Sequence, residues 1–174
     1  MGGFGIGTTE FATMGILPLV AADLVPGFGA DPAAGIAHAG WIITAYALGV
    51  VVGAPLVSIW AARMSQRTLV LLLVAAFAVA NLASGLMPSF ELTLVSRFLA
   101  AIPHGAYFGV ASLLAARIMG PGRQGAGVAL ALSGLTIANV IGVPLGTWLG
   151  QVAGWRWTYV AVAVIFAATL ALAL

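Results

Sequence analysis

The sequence predicts an all-α integral membrane protein with six transmembrane helices. Of its 174 residues, 63% are hydrophobic and only 6% are charged, whereas soluble domains carry about 25% charged residues. The mean hydropathy is +1.17. A helix of about 20 apolar residues crosses a bilayer core of about 30 Å, and Gly, Pro and charged residues divide the chain into six such stretches. We place the spans near 2–22, 40–61, 68–87, 92–116, 126–149 and 156–174.

The composition also argues against several other classes of protein. The chain has no cysteine, so a disulfide framework and a cysteine metal site are both excluded. All six basic residues are arginines, scattered singly along the chain, which leaves no basic patch for nucleic acid. Without a lysine there is no phosphate-binding loop of the usual kind, and no metalloprotease or hydrolase motif is present. We therefore expect no enzyme activity, no cofactor and no metal.

The arginines predict the orientation in the membrane, because short loops rich in arginine stay in the cytoplasm. The loop between spans two and three and the loop between spans four and five each hold two arginines, namely Arg63, Arg67, Arg117 and Arg123. The acids Asp23, Asp31 and Glu91 fall on the other side, together with Arg156. Both ends of the chain should then face the cytoplasm. The segment after Asp23 is expected to be a surface loop, and Trp155, Trp157 and Tyr159 to form an interfacial aromatic belt.

Three ionisable residues lie inside predicted spans. Glu10 is near the middle of the first span, while Arg97 and His104 are seven residues apart and share one face of the fourth. Ionisable side chains are costly in lipid and usually face a water-filled interior, so these three are candidates for proton coupling or substrate binding. The alternative for Glu10 is a structural carboxyl bonded by nearby threonine hydroxyls. The alternative for His104 is a histidine bonded to a backbone carbonyl.

Weaker signals come from other polar residues and from a repeated phrase. Two roles are open to the polar residues Tyr46, Asn81, Tyr107 and Asn139. They either line a cavity or form hydrogen bonds between helices. VGAPL at 52–56 matches IGVPL at 141–145, which either pairs spans one to three with spans four to six or is a chance match in a chain rich in Gly and Leu. Such three-plus-three inverted repeats occur within the halves of many transporters. Small residues such as Gly142 and Gly146 also allow close helix packing.

Three segments together resemble the N-terminal half of a major facilitator superfamily transporter, of the proton-linked drug or sugar efflux branch that includes arabinose and chloramphenicol exporters. They are GTTEFATMGILP at 7–18, RFLAAIPHGAYFGV at 97–110, and the run from Gly134 through NVIGVPLGTWLGQ to GWRW at 154–157. The resemblance covers essentially the whole chain. It implies a bundle of six helices in the bacterial cytoplasmic (inner) membrane.

The resemblance also implies roles for individual residues. Glu10 resembles the acid of the first helix that binds protons or substrate, and Arg97 resembles the arginine of the proton-transfer motif. The antiporter motif of the fifth helix, linked to helix bending and exchange, is matched by Gly134, Gly142, Pro144 and Gly146, although the proline is displaced by one position. The gating loop between helices two and three retains Arg63 and Arg67 but has Ala62 where aspartate is usual.

The function implied is secondary active export of small organic molecules by alternating access, driven by inward proton flow. A proton-coupled importer, a uniporter and a non-transporting scaffold or receptor are the alternatives. Met1 is followed at once by an apolar helix, and Leu174 ends within the sixth span. We therefore expect an incomplete transporter whose partners are protons, a small-molecule substrate, the lipid bilayer, and either a missing C-terminal six-helix half or a second copy.

The orientation can be tested with single cysteines, because the chain contains none of its own. Cysteines introduced near Gln66 and Gly122 should be shielded from impermeant thiol reagents in intact cells, since their loops carry the arginines. A cysteine near Gly29 should be labelled. The reverse labelling pattern would mean that the orientation is inverted.

Overall fold

The computed structural model describes residues 1–61 and 63–173, without the side chain of Trp60. Over this part of the chain, six stretches are helical, apolar and long enough to cross a membrane, which confirms the predicted fold class. The helices are α1 (Gly2–Leu24), α2 (Pro32–Ala39), α3 (Trp41–Ala61), α4 (Gln66–Leu86), α5 (Phe90–Ala101), α6 (His104–Met119), α7 (Gln124–Ile137), α8 (Val143–Ala153) and α9 (Trp155–Ala173), with a π-helical segment at Ala138–Gly142 between α7 and α8.

The first connection is more ordered than the sequence predicts. The expected surface loop is wrong over Pro32–Ala39, which forms α2. The Asp31 carboxylate caps this helix by accepting a hydrogen bond of 3.0 Å from the Ala34 N–H. Pro32 follows at the first helical position, where its missing N–H costs nothing. Helix α2 therefore leads almost directly into α3, and the second span begins earlier than predicted.

The fourth span is broken between α5 and α6. Pro103 lacks an N–H, and a proline ring collides with the carbonyl four residues earlier in a continuous helix. The Ile102 N–H instead donates to the Leu99 carbonyl at 3.3 Å, which tightens the last turn of α5. Arg97 and His104 consequently lie on separate helices on either side of the break. The prediction that one continuous helix carries both residues is wrong.

The fifth span changes its winding before a proline. Over Ala138–Gly142 the helix is π-helical, and the Val143 N–H donates to the Ala138 carbonyl five residues earlier. Pro144 follows immediately, in the first turn of α8. A π-helical turn of this kind accommodates a residue that cannot join the regular α-helical pattern. The displaced proline of the sequence motif therefore follows directly on a local change in helical winding.

Glycines of the fifth span lie directly against α1. A Cβ atom at Gly134 would be 2.8 Å from the Phe4 nitrogen, and one at Gly146 would be 3.1 Å from the Ala12 Cβ. A Cβ at Gly142 would collide with the Thr8 hydroxyl. These positions thus give the close backbone approach that small residues permit between membrane helices.

The three most extensive pairings of spans are preserved when the two halves of the chain are exchanged. The first span packs on the fifth, the second on the fourth, and the third on the sixth. Exchanging spans one to three with spans four to six turns the pair of the first and fifth spans into the pair of the fourth and second. The pair of the third and sixth spans is exchanged with itself. This pattern is the one that a three-plus-three repeat requires. The helix packing therefore supports the repeat that the sequence predicts.

Buried side chains of the described residues form three apolar clusters, and a polar layer lies between the two larger ones. Ile6, Phe77 and Phe166 belong to one cluster, while Ile16 and Trp155 belong to the other. Along α1 the residues between Ile6 and Ile16 include buried threonines. Two of the three residues predicted for the aromatic belt face the interior of the bundle, because Trp155 is 4% and Tyr159 0% exposed. Only Trp157 is exposed, since neighbouring positions on a helix face different directions.

A polar cluster joins three spans at one end of the bundle. Arg156 forms a salt bridge with Asp23, and its Nη2 donates to the Met87 carbonyl at 3.3 Å. The Trp155 indole N–H also donates to Asp23, at 3.0 Å. The ends of α1 and α4 and the start of α9 are thereby held together.

The close packing of α3 against the break in the fourth span gives a stability prediction. A Cβ atom at Gly53 would lie 2.6 Å from the Ile102 Cα, and backbone atoms cannot move aside cheaply. Gly53→Ala should therefore lower the free energy of unfolding of the complete protein in detergent by about 1 to 3 kcal/mol. Gly109→Ala is the matched control, because nothing lies within 4 Å of that position. Equal unfolding midpoints for the two variants would contradict this account of the packing.

Candidate functional site: a buried cation beside a carboxyl cavity

Arg97 is enclosed within the bundle, and its side chain is only 1% exposed. Its Nη1 donates to the Thr9 hydroxyl at 3.0 Å and to the Asn81 amide oxygen at 3.4 Å. Its Nη2 donates to the Thr9 carbonyl at 3.3 Å. These contacts join α5 to α1 and α4. A buried charge is normally paired or hydrogen-bonded, and Arg97 is held by neutral oxygens alone.

Two tyrosine rings flank the guanidinium. The Arg97 Cζ lies 4.4 Å from the ring centroid of Tyr46 and 4.8 Å from that of Tyr159. Both distances fall within the range of cation–π attraction, which is strongest where water is excluded. The Tyr159 hydroxyl lies 3.1 Å from the Thr13 hydroxyl, and Thr13 itself donates to the Thr9 carbonyl at 2.6 Å. Arg97 is therefore the point where the first, second, third, fourth and sixth spans meet.

Glu10 lines a cavity of about 60 Å³ together with Arg97 and Tyr46. The remaining lining residues are Thr13, Met14, Ile43 and Ala47. One water needs roughly 10 to 15 Å³ of such volume, so the cavity is large enough for water. In the described part of the chain no carboxylate lies within 4.0 Å of the guanidinium. The two opposite charges therefore share a cavity without forming an ion pair.

His104 is joined to this cavity through a tyrosine. Its Nδ1 lies 3.1 Å from the Tyr46 hydroxyl, and its ring lies edge-on to Phe108 with centroids 5.7 Å apart. His104 is half-buried. The structure thus links His104 and Arg97 through Tyr46, rather than through a shared face of one helix.

The other predicted residues fall into three groups. Asn81 belongs to the site, since it accepts from Thr9 at 2.5 Å as well as from Arg97. Tyr107 lies in an apolar cluster, edge-on to Phe77 with centroids 6.1 Å apart. Asn139 is exposed and donates to the Leu135 carbonyl of its own helix. Arg63 is exposed between α3 and α4, Arg67 is exposed in the first turn of α4, and Ala62 lies outside the described residues.

Tyr159 is the site residue that the sequence analysis missed. Its closeness to Trp155 and Trp157 in the sequence predicts a place at the membrane interface, but one helical turn separates Trp155 from Tyr159. That spacing returns the side chain to the inner face of α9. No group of three histidine, cysteine or acidic residues suited to a metal occurs among the described residues.

Six apolar helices around a buried charge and an ionisable cavity define a multi-span membrane protein with a polar interior. The chain matches the model of the Major Facilitator Superfamily over residues 1–174, and it belongs to this family. It is 42% identical over 163 residues to the inner membrane transport protein YdhP of Escherichia coli K12. This alignment covers 94% of this chain and 40% of YdhP.

Two further relatives have similar coverage. The putative transporter AraJ of Escherichia coli K12 is 39% identical over 171 residues, or 98% of this chain and 41% of AraJ. A chloramphenicol resistance protein of Streptomyces lividans is 37% identical over 159 residues, or 91% of this chain and 38% of that protein. The chain therefore spans about two fifths of the length of these relatives.

The role of Thr9 in holding Arg97 can be measured by removing its hydroxyl. Thr9→Val keeps the shape but removes one hydrogen-bond partner from Arg97 and one from Asn81, so the free energy of unfolding should fall by about 1 to 3 kcal/mol. Thr169→Val is the control, because that hydroxyl bonds only to the Ile165 carbonyl of its own helix, at 2.7 Å. Urea or thermal unfolding of the complete protein in detergent gives the comparison. A Thr9 variant as stable as the Thr169 variant would show that the hydroxyl does not support the cation.

Proposed function

We propose that the chain is one six-helix bundle of a proton-coupled exporter of small organic molecules, such as drugs or sugars. In this proposal Glu10 carries the proton, and substrate and proton compete for the cavity. Arg97 sets the electrostatic environment of Glu10 from within the bundle. Transport follows from rocking of two bundles around this midplane site. We assign no enzymatic reaction to the protein.

The observation that carries the proposal is the cavity shared by Glu10 and Arg97. Carboxyl groups inside a membrane span are rare and are by default functional. Glu10 is only half-buried and has no ion pair to compensate its charge, so a proton or a ligand is the natural partner. The relative from Streptomyces lividans is named for chloramphenicol resistance, which makes chloramphenicol a reasonable first probe.

We further propose that a second bundle covers the open side of the cavity. Met14 beside Glu10 is 51% exposed, and a half-buried carboxyl facing lipid would be costly. YdhP is about 2.3 times as long as this chain, since the 163 aligned residues are 40% of that protein. The rest of a longer chain is the favoured occupant and a second copy is the alternative. Arginine placement supports cytoplasmic ends and a position in the bacterial inner membrane.

Inverted vesicles containing the complete protein test this proposal. Under an imposed pH gradient, uphill uptake of chloramphenicol means export, and release of protons on its addition means coupling. Uptake that only equilibrates would indicate a uniporter, and uphill movement in the opposite sense an importer. No movement of chloramphenicol, or of other drugs and sugars in turn, would favour the scaffold.

Glu10→Gln should abolish proton-driven transport while leaving insertion intact. Glutamine keeps the size and hydrogen bonding of glutamate but has no titratable charge, so the gradient can no longer act at this position. Glu91→Gln is the matched control, because Glu91 is exposed in the first turn of α5 and lies outside the cavity. Transport measured at several pH values separates the two. Unchanged pH dependence in the Glu10 variant would make Glu10 a structural residue.

A further inference from the structure

The pair of Tyr46 and His104 spans the break in the fourth membrane span. Arg97 belongs to α5 and His104 to α6, with the break at Ile102 and Pro103 between them. Tyr46 of α3 touches both, with its ring 4.4 Å from the Arg97 Cζ and its hydroxyl 3.1 Å from the His104 Nδ1. One side chain therefore connects the two parts of a bent helix.

We propose that His104 is a positioning residue: by fixing the Tyr46 hydroxyl it keeps the Tyr46 ring against Arg97 and holds the guanidinium apart from Glu10. The inference rests on the proposed function, because it concerns how the proton-carrying carboxyl stays available. His104 itself does not carry the proton in this scheme. It acts on Arg97 through Tyr46.

The geometry explains why such a device is needed. Arg97 and Glu10 line one cavity, and opposite charges attract strongly where water is scarce. A direct ion pair would compensate Glu10 permanently and leave it with no need of a proton. Arg97 is held on its other sides by Thr9, Asn81 and the Tyr159 ring, but the Arg97 Nε has no hydrogen-bond partner. The Tyr46 ring therefore completes the restraint.

The surroundings of Tyr46 limit what else can act on it. Tyr46 is 4% exposed, and the charged or titratable groups around it are Arg97 from α5, Glu10 from α1 and Tyr159 from α9, besides His104 itself. Tyr159 has its own anchor, the Thr13 hydroxyl at 3.1 Å. His104 is thus the described hydrogen-bond partner of the Tyr46 hydroxyl.

Dicyclohexylcarbodiimide, an apolar reagent for protonated carboxyl groups, tests the proposal without a transport substrate. Labelling of Glu10 in the complete protein would be followed by mass spectrometry across a range of pH. Tyr46→Phe and His104→Leu each remove the hydrogen bond that holds the aromatic ring at position 46, so Arg97 can pair with Glu10. The fraction of Glu10 that is protonated then falls, and labelling at a fixed pH should slow by about tenfold, as it would if the pH were raised by one unit. His104→Asn, whose amide group occupies the place of Nδ1, should restore the wild-type rate.

Two controls separate positioning from folding. Tyr107→Phe removes a hydroxyl from a tyrosine of the apolar cluster and should label like wild type. His104→Gln extends its amide beyond the Nδ1 position, so it should label more slowly than wild type, as expected for His104→Leu. It takes the place of the leucine variant if that protein fails to insert. Wild-type labelling rates in the inserted His104→Gln and Tyr46→Phe proteins would overturn the proposal.

The outcome is independent of the transport assay. Slowed labelling in these variants, in a protein that moves no substrate, would leave the positioning role standing and remove the proposed function. Proton-coupled transport with unchanged labelling would do the opposite.

Discussion

The structure depends on the burial of the Arg97 charge among neutral groups. Placing an arginine at the centre of a membrane helix costs about 2.5 to 3.5 kcal/mol on insertion scales. A single hydrogen bond to a charged group contributes about 1.5 to 3 kcal/mol, and Arg97 makes three such bonds to Thr9 and Asn81. A desolvated cation–π contact adds up to about 2 kcal/mol. The surrounding spans can therefore keep Arg97 charged without a carboxylate, provided that they stay closely packed.

That packing explains where the glycines and the helix breaks lie. Gly53 of α3 sits against the Ile102 backbone, next to the break that separates α5 from α6. On the opposite side Gly142 sits against Thr8, next to the π-helical segment. The two repeats differ here, because Pro55 lies inside a continuous α3 while its counterpart Pro144 follows the π-helical segment. The matched phrases thus share a packing role but not a backbone conformation.

Composition and spacing predict the six spans because the hydrophobic signal repeats along the whole chain. The same reasoning finds Glu10 and Arg97, since a charge inside an apolar span stands out in any sequence. It does not find Tyr159, because a tyrosine near two tryptophans looks interfacial until the rotation of α9 is known. Nor does it find the break at Pro103, since Pro18 and Pro55 lie inside unbroken helices. Whether a proline interrupts a helix depends on the neighbours that take up the freed carbonyl.

A comparison within the chain shows what is unusual about the site. Asp23 and Arg156 form a salt bridge at the end of the bundle, where their side chains are 45% and 38% exposed. Because both partners of such a pair are solvated, the pair contributes little to the free energy of folding. Glu10 and Arg97 are closer to the middle of the bundle, where attraction is far stronger, yet they are not paired. Proximity alone would bring them together, so the restraint on Arg97 must come from its other contacts. The donors and rings that hold Arg97 are therefore as much a part of the site as the two charges.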